Sequence, residues 1–350
     1  MNDVLPELQT WIERGDRIAI ATVVAVKKSA PRPPGAKMAI NEDGEVIGAV
    51  SGGCVEGAVI EIADRVLRGE PPQRVHFGID DEEAWGVGLP CGGEIDVWVQ
   101  EYVPGRFTDI ARAGGRAAEV TLLEGAGAGA KLLFEEDGSL SGSLGSPELD
   151  AEGKRAAEDL LWAETSELRG PIFVDLVAPA PRLILFGAVP IAAALCTIAK
   201  ATGWRPFVVD PRQRFATRER LPDAEEIIAA WPEEAFAQLG GIDPATSIAV
   251  LTHDPKLDDA ALAIALRSNA RFVGAMGSRR AQEARRERLI EAGFSDEELA
   301  RLSAPLGLDL GAVSAEETAL SVLAEMVATR HRRDGGRLIN ASGRIHVVPA

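Results

Sequence analysis

The sequence predicts an α/β protein: an α+β domain over residues 1–105, a connecting α+β region at 106–177, and a doubly wound parallel sheet over 182–332. Three observations carry that expectation. In the second half, short apolar runs alternate with helical periodicity at the spacing of βαβ units. In the first half, strand-like runs come in neighbouring pairs, one of them around the hairpin signal Asn41-Glu42-Asp43-Gly44. Between the halves, Ala178-Pro179-Ala180-Pro181 has the composition of a linker.

The chain opens on an amphipathic helical segment at 5–17, then a β-branched, nearly continuous apolar run at 17–26 that reads as a buried strand. Proline keeps Lys27-Lys28-Ser29-Ala30-Pro31-Arg32-Pro33-Pro34-Gly35 out of helix and central strand. Strands at 37–40 and 45–50 flank the hairpin. Ser51-Gly52-Gly53-Cys54-Val55-Glu56-Gly57 then turns into a helix at 55–67, closed by Gly69-Glu70-Pro71-Pro72. Strands at 74–77 and 94–100 bracket a second glycine-flanked cysteine, Gly88-Leu89-Pro90-Cys91-Gly92-Gly93. In the connecting region, strands are expected at 118–123 and 131–134 and a helix at 147–163. The Gly125-Ala126-Gly127-Ala128-Gly129 run leads into a strand and reads as a turn, not a phosphate loop.

Beyond the linker, strands are expected at 183–186, 206–209, 227–230, 247–251 and 271–273, with helices at 190–201, 232–239, 258–267 and 278–292. The last long helix starts at the capping box Ser314-Ala315-Glu316-Glu317 and runs to about 332. Residues 333–350 form a tail.

Composition narrows the function classes. The chain has 37 basic and 54 acidic residues in 350, a formal net charge of −17. Such a surface disfavours nucleic acid and anionic membranes as partners. No apolar run approaches the roughly 20 residues that span a bilayer, and no signal-peptide pattern is present, so a cytoplasmic location is expected. Three cysteines are too few for a disulfide framework, and none of the four histidines has HExxH spacing, so an all-protein metal site is not expected.

Two thiols stand out. Two glycines before Cys54 permit a tight turn, and the helix start behind it favours an anion, the thiolate being the reactive form. Cys54 and Cys91 are the candidate catalytic residues, against the plainer reading of each as a small buried hydrophobe. Cys196, inside a predicted helix, reads as core. In the second half the first βα turn, Gly187-Ala188-Val189-Pro190-Ile191-Ala192, keeps only the first glycine of G-x-G-x-x-G. Val189 obstructs a pyrophosphate there, although Asp210 matches the acidic residue that binds a ribose hydroxyl. A scaffold with a degenerate loop is therefore preferred to NAD(P) binding. Other loops on the carboxyl edge supply His253 with Asp254, the phosphate-suited Gly277-Ser278-Arg279-Arg280, and Asp309.

Taken together, these pieces resemble the XdhC/CoxI family, accessory proteins of molybdenum hydroxylases such as xanthine dehydrogenase and aerobic CO dehydrogenase. The resemblance rests on Ser29-x-Pro31-Arg32-x-x-Gly35, Ser51 to Gly57, and Gly88-x-Pro90-Cys91-Gly92-Gly93. In the second half it rests on Val209-Asp210-Pro211-Arg212, Thr252-His253-Asp254, Gly274-Ala275-Met276-Gly277-Ser278, and Gly307-Leu308-Asp309-Leu310-Gly311 with Glu316-Glu317. It implies an N-terminal XdhC/CoxI domain and a Rossmann-like C-terminal domain. It further implies a chaperone, preferred to a turnover enzyme although turnover chemistry stays open, that binds the molybdenum cofactor (molybdopterin or its dinucleotide form), supports its sulfuration and delivers it to a hydroxylase apoenzyme. A cysteine desulfurase is a further expected partner, and a homodimer is expected on base rates. The family turn usually reads Gly-Ala-Gly-His; Val189 and Pro190 depart from it here, which weakens nucleotide binding at Gly187.

On this reading Cys54 or Cys91 contacts molybdenum, a soft ligand for a soft metal, or relays sulfur. Arg32, Ser51, Gly52, Gly53, Gly92 and Gly93 hold anionic groups in the first half. Gly187, Asp210, His253, Gly277, Ser278 and Asp309 line the second. Two rival readings are an NAD(P)-dependent oxidoreductase and an acidic interaction scaffold with no cofactor site.

Overall fold

Alternation with period two in the first half and period 3.6 between apolar strands in the second gives two different layer architectures. The computed structural model describes residues 1, 4–27, 31–78 and 93–341. It divides into two units, Met1–Pro179 and Ala180–Ala341.

The first unit contains two antiparallel five-stranded sheets. Helix α1 (Leu5–Arg14) leads to β1 (Ile18–Lys27), β2 (Lys37–Asn41), β3 (Val46–Gly48), α2 (Glu56–Leu67), β4 (Gln73–Phe77) and β5 (Glu94–Glu101). The sheet order is β3-β2-β1-β5-β4. Helix α1 stops short of the expected Arg17 because Gly15 takes a left-handed C-cap with φ 82°. The second sheet follows α3 (Arg106–Arg112) and comprises β6 (Ala117–Leu122), β7 (Lys131–Glu135), β8 (Leu140–Gly142), β9 (Glu167–Arg169) and β10 (Ile172–Val177), with α4 (Pro147–Leu161) before β9. Its order is β8-β7-β6-β10-β9. The strand β10 and the short β8, β9 and α3 were not expected.

Each sheet carries a helix on one face. Ala19, Ala21 and Val23 of β1 pack with Val59, Ile62, Ala63 and Val66 of α2. Val120, Ile172 and Val174 of the second sheet pack with Ala157, Leu160 and Leu161 of α4. The opposite faces meet each other through two apolar clusters. One joins Ile18, Ile20 and Ala39 to Ala117, Leu133 and Val177. The other joins Val24 and Trp98 to Leu123 and Phe173. Full burial of the Ile, Leu, Val and Phe side chains among them contributes about 1.5–3 kcal/mol each.

The second unit is the doubly wound parallel sheet that the sequence predicts. Its elements are β11 (Arg182–Phe186), α5 (Pro190–Ala201), β12 (Arg205–Val209), β13 (Glu226–Ile228), α6 (Pro232–Gln238), β14 (Ser247–Val250) and α7 (Pro255–Arg267). They continue with β15 (Phe272–Ala275), α8 (Arg279–Glu291), α9 (Asp296–Ala300), β16 (Leu302–Ser303) and α10 (Ala315–Arg330). The order β13-β12-β11-β14-β15-β16 reverses between β11 and β14. That reversal is the switch point where sheets of this kind bind ligands. Ile184, Phe186, Val209, Ile248 and Val250 face α6 and α7 on one side. Leu183, Leu185, Val208 and Ala249 face α5 and α10 on the other, where Cys196 is also buried. Burial on both faces is why these strands read as continuous apolar runs.

Candidate functional site

In the first unit the site is built around the turn into α2. Gly52 and Gly53 take φ 86° and 116°, the left-handed region that glycine alone occupies readily. Successive amides then converge into a nest of donors. A carboxylate fills that nest, and it comes from the chain itself. Glu56, the first residue of α2, accepts from the N–H groups of Ser51 at 2.8 Å, Gly52 at 2.9 Å and Gly53 at 2.8 Å, and from Ser51 Oγ at 2.6 Å. Val50 and Val55 N–H groups approach it at 3.2 Å. Partial burial pushes the Glu56 carboxyl up, but the Ser51 hydroxyl and the backbone amides of Ser51 and Gly52 outweigh it and hold the group at about 2. The amides of Gly52 and Gly53, expected to hold a ligand's anion, donate to Glu56 instead. Glu56 is the residue that sequence reasoning missed. Its signal was an acidic side chain just inside a helix start, able to fold back on the preceding amides as in a capping box.

The clamp fixes Cys54. Ser51 Oγ accepts from Cys54 N–H at 3.0 Å and Val55 N–H at 3.1 Å, so every donor of the turn is directed inward. Cys54 is a free, half-buried cysteine packed against the core over α2. The segment after Pro31 runs beside this turn, since a Cβ on Gly52 would lie 4.0 Å from Pro31 Cβ. The half-buried Arg32 follows Pro31 in that loop. Gly93, buried, leads into β5. Cys91 and Gly92 lie outside the described residues. On β4 and β5, Asp96 accepts from Arg74 at 2.5 Å and sits 2.6 Å from His76 Nδ1. Burial pushes the Asp96 carboxyl up, while His76 and Arg74 bring it below its usual range.

In the second unit the sequence-selected residues all lie at the carboxyl ends of the parallel strands, but several have structural duties. Gly187 has φ 113°, and a Cβ there would stand 2.3 Å from Thr252 Cγ2. The close approach of the turn after β14 by itself requires glycine. Asp210 is fully buried. Its Oδ2 accepts from Ala188 N–H at 2.8 Å and Arg212 Nη2 at 2.6 Å; its Oδ1 accepts from Arg212 N–H and Nε, both at 2.9 Å. Burial pushes this carboxyl up, but Arg212 and the Ala188 amide bring it below its usual range. The acceptor positions expected for a ribose hydroxyl are thus taken by the first turn and by Arg212.

His253 is exposed, and the neighbouring Asp254 caps α7 through Lys256 N–H at 3.0 Å. Behind them, buried Asp258 accepts from Thr252 Oγ1 and, at 2.9 Å, from buried Arg285. Ser278 is the N-cap of α8, accepting from Ala281 N–H at 3.3 Å, with Gly277 before it at φ 138°. Asp309 is exposed on a loop held to α10, where Glu325 accepts from Gly307 N–H at 2.6 Å. Among the described residues no group of three or more His, Cys, Asp or Glu side chains could hold a metal ion. No described helix is long and apolar enough to cross a membrane.

Both units match one family. Residues 11–78 match the XdhC and CoxI family, and residues 183–326 match the XdhC Rossmann domain. The chain belongs to the XdhC/CoxI family. Among its relatives, a protein of Bacillus subtilis (strain 168) named as a probable xanthine dehydrogenase subunit is 28% identical over 93% of this chain and 97% of its own. The "molybdenum cofactor insertion chaperone PaoD" of Escherichia coli (strain K12) is 28% identical over 90% of this chain and 84% of its own. A crystal structure described as a xanthine dehydrogenase from Bacillus halodurans superimposes with a TM-score of 0.68 at 27% identity, covering 98% of both chains. Within the XdhC/CoxI family, then, this chain keeps both halves, and the likeness to solved structure extends across the connecting sheet.

Proposed function

We propose that this chain is an accessory protein of a molybdenum hydroxylase of the xanthine dehydrogenase type, binding the molybdenum cofactor and handing it to the apoenzyme. One observation carries the reading: the likeness to a molybdenum cofactor insertion chaperone runs through both units, over 90% of this chain. Support of cofactor sulfuration, with a cysteine desulfurase as second partner, belongs to the same proposal, as does self-association as a dimer.

The residues present suit such a ligand in part. When bound, the cofactor supplies molybdenum on a pterin dithiolene that carries a phosphate. Cys54 offers a soft sulfur ligand, and the Glu56 clamp holds its backbone in one conformation. Arg32, in the adjacent loop, offers a guanidinium for phosphate. In the second unit the start of α8, with Arg279 and Arg280 exposed beside Ser278, suits a phosphate as well. The nest of Gly52 and Gly53 does not join them: its acceptor is Glu56, whose charge repels a second anion. NAD(P) binding at Gly187 receives no support from the geometry, because Val189 and Asp210 are committed to helix start and turn.

The thiol assignment is tested by expressing wild-type, Cys54→Ser and Cys91→Ser chains in a molybdenum-replete host and measuring cofactor retained after purification. Cys54→Ser is expected to lower retention and transfer to apo-hydroxylase by at least about tenfold, the loss of one direct contact. Retention and transfer unchanged in both variants would remove the cysteines from the site.

A further inference from the structure

The two sheets of the first unit enclose a cleft of about 590 Å³, within the about 300–1,000 Å³ usual for small-molecule sites. The inward rows of the strands show how it arises. On β1 the row reads Ile18, Ile20, Thr22, Val24; on β6 it reads Ala117, Glu119, Thr121, with Leu123 just beyond the strand; on β10 it reads Phe173, Asp175, Val177. Apolar residues at both ends of these rows form the two clusters that hold the sheets together. The middle rank is polar. Lys37 and Lys131 of β2 and β7 complete it.

This rank is costly if it serves packing alone. Lys37 is 2% exposed and Asp175 6% exposed, with Nζ 2.5 Å from Asp175 Oδ2 and 3.3 Å from Thr22 Oγ1. A buried ion pair is matched or surpassed in stability by apolar residues of similar volume. An ammonium carries three donors, and these two partners account for two of them. Lys131 is likewise paired, 2.6 Å from Glu119. Two cations thus face two carboxylates, and no cation in the rank is left for an anionic ligand. Trp98 and Phe173 at one end, with Tyr102 and Phe107 at the other, give the cleft aromatic margins.

We infer that this cleft is a binding site for an uncharged planar lactam heterocycle of bicyclic size, whose adjacent C=O and N–H groups meet the Lys37, Thr22, Thr121 and Asp175 rank. The ring carbonyl accepts the remaining Lys37 donor, the ring N–H donates to a carboxylate or hydroxyl oxygen, and the ring faces lie among aromatic side chains. This site is separate from the Cys54 turn and does not rest on the proposed handling of the molybdenum cofactor.

Calorimetry on the full chain, free of cofactor, with hypoxanthine as probe tests it. Saturable binding of one hypoxanthine per chain is expected. The double variant Thr22→Val/Thr121→Val, which keeps the β-branched shape and removes both hydroxyls, is expected to weaken it about tenfold or more. Inosine monophosphate is expected to bind at least about tenfold more weakly than hypoxanthine, because Lys37 and Lys131 are already paired with carboxylates that repel its phosphate. If the double variant loses its cooperative thermal transition, the single variant Thr121→Val replaces it with the same expectation. The inference is overturned by heats that saturate only above about 1 mM, by equal affinity in the variant, or by inosine monophosphate binding as tightly as hypoxanthine.

Discussion

Glu56 satisfies donors from five residues before or beside it, and its removal should loosen the whole turn that carries Cys54. Glu56→Gln keeps the shape but sets an NH2 group against backbone N–H donors. It is expected to destabilise the chain by about 1–3 kcal/mol at neutral pH, read by chemical denaturation. The carboxyl is depressed from its ordinary 4.5 to about 2. Its contribution is therefore full above pH 4.5 and lost as pH falls through 2. The gap between wild type and variant should narrow over that interval; a gap that stays constant would place the stabilisation elsewhere. Asp210→Ala is expected to cost about 1–3 kcal/mol as well, since it strips the Ala188 amide and Arg212 of their acceptor. Both residues show what the sequence conceals at this scale. Asp210 stood at the expected position of a nucleotide motif, yet a motif gives position and not partner. Glu56 followed a glycine pair that suggested a ligand, and nothing in spacing says that the anion in the nest is the chain's own.

At the scale of elements, the turn after β11 is fixed by a steric fit between Gly187 and Thr252. Gly187→Ala is expected to destabilise by about 2 kcal/mol or more, combining left-handed strain with a clash. Thr252→Ser removes the methyl group in the way and keeps the hydroxyl on Asp258. In a double-mutant cycle it should recover part of that loss; strictly additive losses would contradict the fit. Strands such as β11 and helices such as α5 were legible because burial on two faces, or on one stripe, writes a strong period into the sequence. The strand β10 was not. Asp175 interrupts its apolar run, and only the partner sheet, bringing Lys37 to 2.5 Å, explains a charge at a buried position. The short β16 and α9 carry too few residues for a period to show.

The whole molecule is a pair of units joined through a proline-rich stretch, one built from two antiparallel sheets and the other from a parallel sheet. Its order of motifs, from the Arg32 loop to the loop of Asp309, spans both. That order points to the XdhC/CoxI family more firmly than any single site, because several of the sites serve the fold. The proposed function therefore rests on whether the chain carries a cofactor. The most direct measurement is to purify the wild-type chain from a molybdenum-replete host, release any bound pterin by acid oxidation, and quantify its fluorescence against protein. A cofactor carrier should yield pterin approaching one per chain, transferable to a molybdenum hydroxylase apoenzyme with gain of activity. Pterin absent from the purified chain, with no effect on apoenzyme activation when cofactor is supplied, would contradict that role.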